Sequence, residues 1–300
     1  MELYATGFNA WNQLRFGGPD ASPESQDPDD LHGFKLVLRN SSFEPPHASL
    51  SCTLVKTPSS VLFAGYPDDW VKLHDLRDKM IQCLAAIAGN GIIAVYSEGS
   101  VQQYQSLAHY KAMKGRTVLS DCEINQIVAY ETGFAALSAG QVWTWGDERY
   151  CACLGREVSE SSPAEKPCLV IQLEGLPTGR IRKLAAAGYL LTAITEGDDL
   201  YAWGGHPGRP VIIEGISGSP SPVLVEENDI RDCAVGEFHV IVLTSHGDIF
   251  VIGDNVNGQL GYPIEKASSW TRVPGIATGS TISAVVAGLR SSFIVVVIAK

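Results

Sequence analysis

The sequence predicts an all-β fold, a single closed β-propeller of six blades with seven as the alternative. Three observations carry this. Short runs of β-branched and aromatic residues recur in pairs around a glycine-containing turn, too short for helices and suited to buried strands. The pairs close on Gly146, Gly204 and Gly253, a spacing of about 50–60 residues that marks a propeller or solenoid. The chain begins with the second half of such a unit and ends with the first half, so a closed arrangement with the N-terminal strand completing the C-terminal blade joins them.

Residues 3–7, Leu-Tyr-Ala-Thr-Gly, precede Phe-Asn-Ala-Trp-Asn-Gln-Leu at 8–14. They match Phe-Val-Ile-Gly at 250–253, followed by Asp-Asn-Val-Asn-Gly-Gln-Leu. Residues 17–33 hold Asp20, Glu24, Asp27, Asp29 and Asp30 with three prolines and no periodicity, which reads as a mobile acidic loop acting as a solvated spacer. Residues 34–38, 48–55 and 61–65 make one blade, 34–65. Across 68–84, Trp70, Leu73, Leu76, Met80 and Leu84 fall at steps of three and four. With Asp68 or Asp69 as cap they predict a short helix outside two blades. Residues 84–104 form the next blade, and 105–114 allow one helical turn. The remaining blades are 124–146, 181–204, 230–253, and 282–297 with 3–7. In the 230–253 unit the turn Ser245-His246-Gly247-Asp248 links two strands, since glycine supplies positive φ and Asp bonds its own backbone. All of 1–300 is expected to be one propeller domain.

Net charge is −11, from 33 acidic and 22 basic residues. This opposes a general grip on nucleic acid, which needs clustered Lys and Arg. The N-terminus has no basic region before a long apolar run, and the longest apolar runs are too short for a membrane helix. Seven scattered cysteines, with Cys83 and Cys233 inside expected strands, suit reduced core thiols rather than a disulfide framework. A monomer in the cytoplasm, the nucleus or both is expected, without membrane contact.

Tyr-Ala-Trp-Gly at 201–204, Trp-Thr-Trp-Gly at 143–146 and Gly-Asp-Asn-Val-Asn-Gly-Gln-Leu-Gly at 253–261 resemble the repeat of the regulator of chromosome condensation family. Loosely, that repeat runs Ala-Ala-Gly, His, a hydrophobic strand, Asp-Gly, aromatic-Trp-Gly-x-Asn, Gly-Gln-Leu-Gly. Residues 230–263 match it nearly throughout, with His239 at the histidine position. Tyr189, Thr132-Gly133 and Asn90 stand at or near that position elsewhere. The chain is most similar to the small single-propeller members. The resemblance implies a six- or seven-bladed propeller and a regulatory protein partner, chromatin-associated or a small GTPase.

Five stretches follow the strand-ending glycines: 8–16, 66–70, 147–155, 205–210 and 254–262. If the blades are arranged alike, all five project on one face. They hold the candidate partner-binding residues Trp11, Asn12, Trp70, Arg149, Tyr150, His206, Arg209, Asn255 and Asn257. Aromatics and arginines gathered on a rim are what interfaces use as anchors. The competing reading has Asn255 and Asn257 capping their turn, and Trp143, Trp145 and Trp203 packing between blades. Cys151-Ala-Cys153 lacks the further ligands zinc requires and reads as two reduced thiols. His239 and His246 flank one strand and are expected to order turns. Glycines 204, 205 and 208 have neither the spacing nor the following helix of a phosphate loop, and no hydrolase, metalloprotease or nucleotide motif occurs.

No catalytic residue, cofactor or metal is therefore expected. The preferred function is a non-enzymatic protein–protein interaction scaffold. The resemblance also implies guanine-nucleotide exchange on a Ran-like small GTPase. A small-molecule binder or enzyme using the central channel is the third reading.

Overall fold

The computed structural model describes residues 1–17, 28–73, 84–275 and 281–298. The described strands form six antiparallel sheets, the blades of a β-propeller, five of four strands and one of three. Among the described residues the blades number six, not seven. Contacts divide the chain into two compact units, 1–80 with 231–300, and 81–230.

The first unit holds three blades. One is built from Ile230–Val235, His239–Thr244, Ile249–Asp254 and Lys266–Val273. Every residue of His239–Thr244 is buried, whereas Lys266–Val273 alternates irregularly between exposed and buried. That explains the sequence: inner strands covered on both faces read as unbroken Val-Ile-Val-Leu runs, while the outermost strand reads as polar. The second blade has Glu2–Gly7 at its heart, between Ser291–Val297 and Leu31–Arg39, with Thr281–Ala287 beyond. The third has three strands, His47–Ala48, Cys52–Lys56 and Val61–Gly65.

Head and tail thus share a sheet, with Glu2 opposite Val296 and Gly7 opposite Ser291. Leu3 and Ala5 are fully buried. The Arg39 guanidinium beside Glu2 holds that buried carboxylate below its ordinary range, and Tyr4 adds a second hydrogen bond. Residues 34–38 correct one expectation: they do not open the 34–65 blade but pair with Glu2–Gly7 as the outer strand of the closing blade. The hydroxyl of Thr6 fixes this, lying 2.6 Å from the Leu31 carbonyl and 2.7 Å from that of Gly258, and accepting from Gly33 N–H. A second correction concerns 17–33. Asp20, Glu24 and Asp27 lie outside the described residues, but Asp30 is no solvated spacer. Its carboxylate accepts from the Asn9 N–H (2.9 Å) and the Asn257 amide (2.8 Å).

Gly7, Gly204 and Gly253 share one cause, a positive φ beside a backbone carbonyl. At Gly7 (φ 112°) a Cβ would lie 2.4 Å from the Arg290 carbonyl; at Gly253 (φ 114°) it would lie 2.2 Å from that of Phe238. Neither conformation nor space admits a side chain. The helix expected over 68–84 is described only as Asp69–Leu73, with Asp68 accepting from Val71 N–H at 2.8 Å. Leu76 and Met80 lie outside the described residues, and Leu84 begins a strand instead. Residues 107–111 form the short helix allowed after the 84–104 blade.

His246 is exposed in its turn, but His239 does more than order one. It is fully buried, and its Nε2 meets the Ser292 Oγ of the next blade at 2.9 Å. Ser292 donates its own proton to the Gln259 carbonyl (2.7 Å), so Nε2 carries the imidazole hydrogen and buried Nδ1 stays bare. Burial pushes this histidine down to about 4. The imidazole is neutral in the fold, while the unfolded chain takes up its proton below pH 6.5, so stability falls as pH drops from 6.5 toward 4. Between pH 7 and pH 5 the expected loss is about 2 kcal/mol. Chemical denaturation of wild type and His239→Gln at the two pH values measures it; the variant should lose that part of the difference.

The second unit also holds three blades. They are Leu84–Ile87, Ile93–Ser97, Ser100–Tyr104 and Arg116–Leu119; Gln126–Tyr130, Gly133–Ser138, Gln141–Gly146 and Cys168–Leu169; and Ile181–Ala187, Leu190–Thr195, Leu200–Gly204 and Ser221–Pro222. Within each unit a side chain stitches neighbouring blades by acting as a strand partner. The Gln126 amide donates to the Leu184 carbonyl (2.7 Å) and accepts from its N–H (2.8 Å). Asp232 accepts from Val285 N–H at 3.0 Å.

Candidate functional site

In the second unit, the loops after Gly146 and Gly204 converge. Asp147 begins the 3₁₀ segment Glu148–Leu154 by accepting from Arg149 N–H at 3.0 Å, and its carboxylate also takes the Arg149 guanidinium. Gly155, at φ 66°, ends the segment. Trp203, fully buried, donates its indole N–H to the Cys153 carbonyl at 3.1 Å and so holds the loop from below. These supports place the ring of Tyr150 beside two others of the rim.

Tyr150 lies 5.0 Å from Tyr189 and 5.4 Å from His206, centroid to centroid, and Tyr189 meets His206 edge-on at 4.6 Å. Arg149 stands 5.9 Å over the Tyr150 ring and Arg209 5.8 Å over that of Tyr189. Three mutually touching rings are thus flanked by two guanidinium groups. The cations differ. Asp147 pairs with Arg149, lowering the carboxylate and raising the guanidinium. Arg209 has no carboxylate partner among the described residues. His206 keeps a buried Nδ1 with no hydrogen-bond partner. Burial, then the hydrogen-bonded Tyr150, pushes Tyr189 up to about 12, so its phenol is neutral near pH 7.

This arrangement brings together four of the expected residues: Arg149, Tyr150, His206 and Arg209. Tyr189 completes it; the sequence marks this residue only as the occupant of the histidine position, not as a rim residue. Its signal was its place after Gly188, at a strand turn whose Tyr189 carbonyl accepts from Gly205 N–H. Of the cysteine pair, Cys151 is exposed, while burial pushes Cys153 up to about 12, which makes it an inert thiol.

In the first unit, Trp11 and Tyr66 pack at 6.2 Å, both half in solvent, with Lys72 4.5 Å above Tyr66. Trp70 is half-buried in the short helix. The three asparagines build turns. Asn9-Ala-Trp-Asn-Gln13-Leu14 and Asn255-Val-Asn-Gly-Gln259-Leu260 share one network. The first Asn accepts from the Leu N–H (3.0 and 2.8 Å), and the Gln carbonyl from the N–H of Trp11 or Asn257 (2.9 Å each). Asn12, at φ 56°, is the counterpart of Gly258 at φ 81° and holds the left-handed position that Asn tolerates. Asn255 is buried with its amide held by the Tyr262 and Ile264 carbonyls, and Asn257 reaches Asp30. Trp145 and Trp203 are buried in the blades and Trp143 is half-buried.

Among the described residues no group of three or more His, Cys, Asp or Glu could hold a metal ion, and no helix is long and apolar enough to cross a membrane.

The family model of the Regulator of chromosome condensation (RCC1) repeat matches residues 230–259. Human E3 ubiquitin-protein ligase HERC2 is 26% identical over 326 residues, 96% of this chain and 6% of HERC2. The chain spans less than two thirds of the length of the curated relatives it matches. Human WBSCR16 aligns with a TM-score of 0.67 at 14% identity, covering 99% of both chains. Prp20p from Saccharomyces cerevisiae, whose structure was described with its binding to Gsp1p and histones, aligns at 0.60 and 14% identity, covering 100% of this chain and 92% of Prp20p. At these identities the structural likeness is one of fold.

Proposed function

We propose that this chain, whose repeats are similar to those of the regulator of chromosome condensation family, is a protein-docking scaffold that acts by binding rather than by catalysis. Its docking site is the rim cluster of Arg149, Tyr150, Tyr189, His206 and Arg209. One observation carries the reading: three rings in mutual contact lie partly in solvent, with an unpaired guanidinium beside them. Tyr and Arg held rigidly at a surface lose little side-chain entropy on binding and dominate interface energies. A propeller supplies the rigid base and lets loops set specificity. Gsp1p and histones, named for Prp20p, favour a regulatory or chromatin-associated partner in the nucleus or cytoplasm.

The test is affinity capture from the native cell by the tagged chain, with Tyr150→Ala and Arg209→Ala alongside. Each variant should recover roughly tenfold less of a wild-type partner, the loss expected for an interface anchor. Unchanged melting temperatures would establish that the variants are folded. Equal recovery of every partner would remove this cluster from consideration. The family resemblance makes a small GTPase the second partner class. A nucleotide-release assay that shows acceleration by the chain would move the reading from docking to exchange.

A further inference from the structure

Residues 155–167 link the third and fourth strands of their blade and form little regular structure beyond a bridge between Ser159 and Ser162. Arg156 organises them. The residue is 8% exposed. Nη1 donates to the Ser162 carbonyl (2.9 Å) and hydroxyl (2.8 Å), and Nη2 to the carbonyls of Thr144 (3.1 Å), Pro163 and Lys166 (3.0 Å each). Nε is buried with no partner. Every acceptor is neutral, and no carboxylate among the described residues forms an ion pair with this guanidinium. Glu165 acts on it through space without a hydrogen bond, so a cation taken out of water is incompletely compensated, and one donor is wasted.

Ser162 is where an anion could be supplied. It is half-buried, its hydroxyl already touches the guanidinium, and Pro163 follows it. We propose that Ser162 is a phosphorylation site for a proline-directed serine/threonine kinase, with Arg156 as the built-in reader of the phosphate. In the transfer, Ser162 Oγ bonds to the γ-phosphorus of ATP, the bond to the departing ADP oxygen breaks, and the hydroxyl proton passes to the kinase's base. The product carries close to two negative charges and three acceptor oxygens beside a desolvated guanidinium. Neutral hydroxyl contact becomes a charge-assisted pair, and Nε gains an acceptor within reach. The effect is a latch on the loop that continues directly from Glu148–Leu154, the segment bearing Arg149 and Tyr150. The molecule supplies its own controls. Ser219 and Ser221 also precede prolines but have no arginine contact, and Ser159 and Ser161 bond one another at 3.1 Å.

The test uses the full chain, ATP and a proline-directed kinase, with phosphosites mapped by mass spectrometry and unfolding followed by calorimetry. Phosphate should appear at Ser162 and raise the melting temperature by roughly 3 °C or more. Phosphate at Ser219 or Ser221, isolated in Ser162→Ala, should leave it unchanged. Ser162→Glu and Ser162→Gln form a second comparison that leaves Arg156 intact and needs no kinase; the acid should melt higher than the amide. No phosphate at Ser162, no rise on its phosphorylation, or an acid no more stable than the amide would overturn the proposal.

Discussion

Removing residues 1–7 is expected to abolish cooperative unfolding of the unit to which they belong. Glu2–Gly7 is an inner strand, paired along both edges. Its loss strips Ser291–Val297 of a partner over its length and leaves Leu31–Arg39 with none. Leu3 and Ala5 leave a core that also contains Leu14, Val55, Phe293 and Val295. The Thr6 hydroxyl no longer ties residue 31 to residue 258. The bared strand, Ser-Ser-Phe-Ile-Val-Val-Val, is the uncharged β-branched edge that pairs with other chains. Calorimetry should show a broad, low-enthalpy transition and light scattering should show association. A synthetic peptide of residues 1–16 added during refolding should restore the sharp transition. A truncated chain that still melts sharply at the wild-type temperature would show that the strand does not hold its blade together.

Trp203→Ala is expected to cost about 4 kcal/mol, the scale of emptying a large buried aromatic site. The ring is fully buried against Gly155, and its N–H satisfies the Cys153 carbonyl. The variant both opens a void and orphans a buried acceptor. The damage should reach the rim, because Cys153 belongs to the segment that carries Tyr150. Trp11→Ala offers the contrast. That indole is 50% exposed and packs on one ring, so its removal should change stability by only about 0.5 kcal/mol. Urea denaturation of the two variants separates the roles; similar losses would mean that burial does not set the cost here.

These two tryptophans show what could be read from the residues alone. The inner strands were legible, because burial on both faces writes itself as unbroken apolar runs such as Leu-Leu-Thr-Ala-Ile-Thr at 190–195. The outer strands Arg116–Leu119, Cys168–Leu169 and Lys266–Val273 were not, since one side meets solvent and their composition matches a loop. Residues 34–38 were legible as a strand but not as a partner of residues 2–7, because pairing depends on the Thr6 contacts and no local pattern records them. The rim was legible as a set of positions after glycines. Which positions meet was not: Tyr189 arrives from a different strand turn, and Asn12, Asn255 and Asn257 differ from contact residues only in where their amides bond.

The paired turns at Asn9–Gln13 and Asn255–Gln259 have a consequence for redesign. Each frame is fixed by one asparagine, one glutamine and the following leucine amide, none of which involves the side chains of residues 10, 11 or 256. The tips differ in what surrounds them: Asn257 reaches Asp30, and a Cβ at residue 258 would lie 2.7 Å from the Leu31 carbonyl. The Asn9–Gln13 mount can therefore take Val-Asn-Gly, whereas Ala-Trp-Asn at 256–258 would collide with the neighbouring strand and release Asp30 from residue 257.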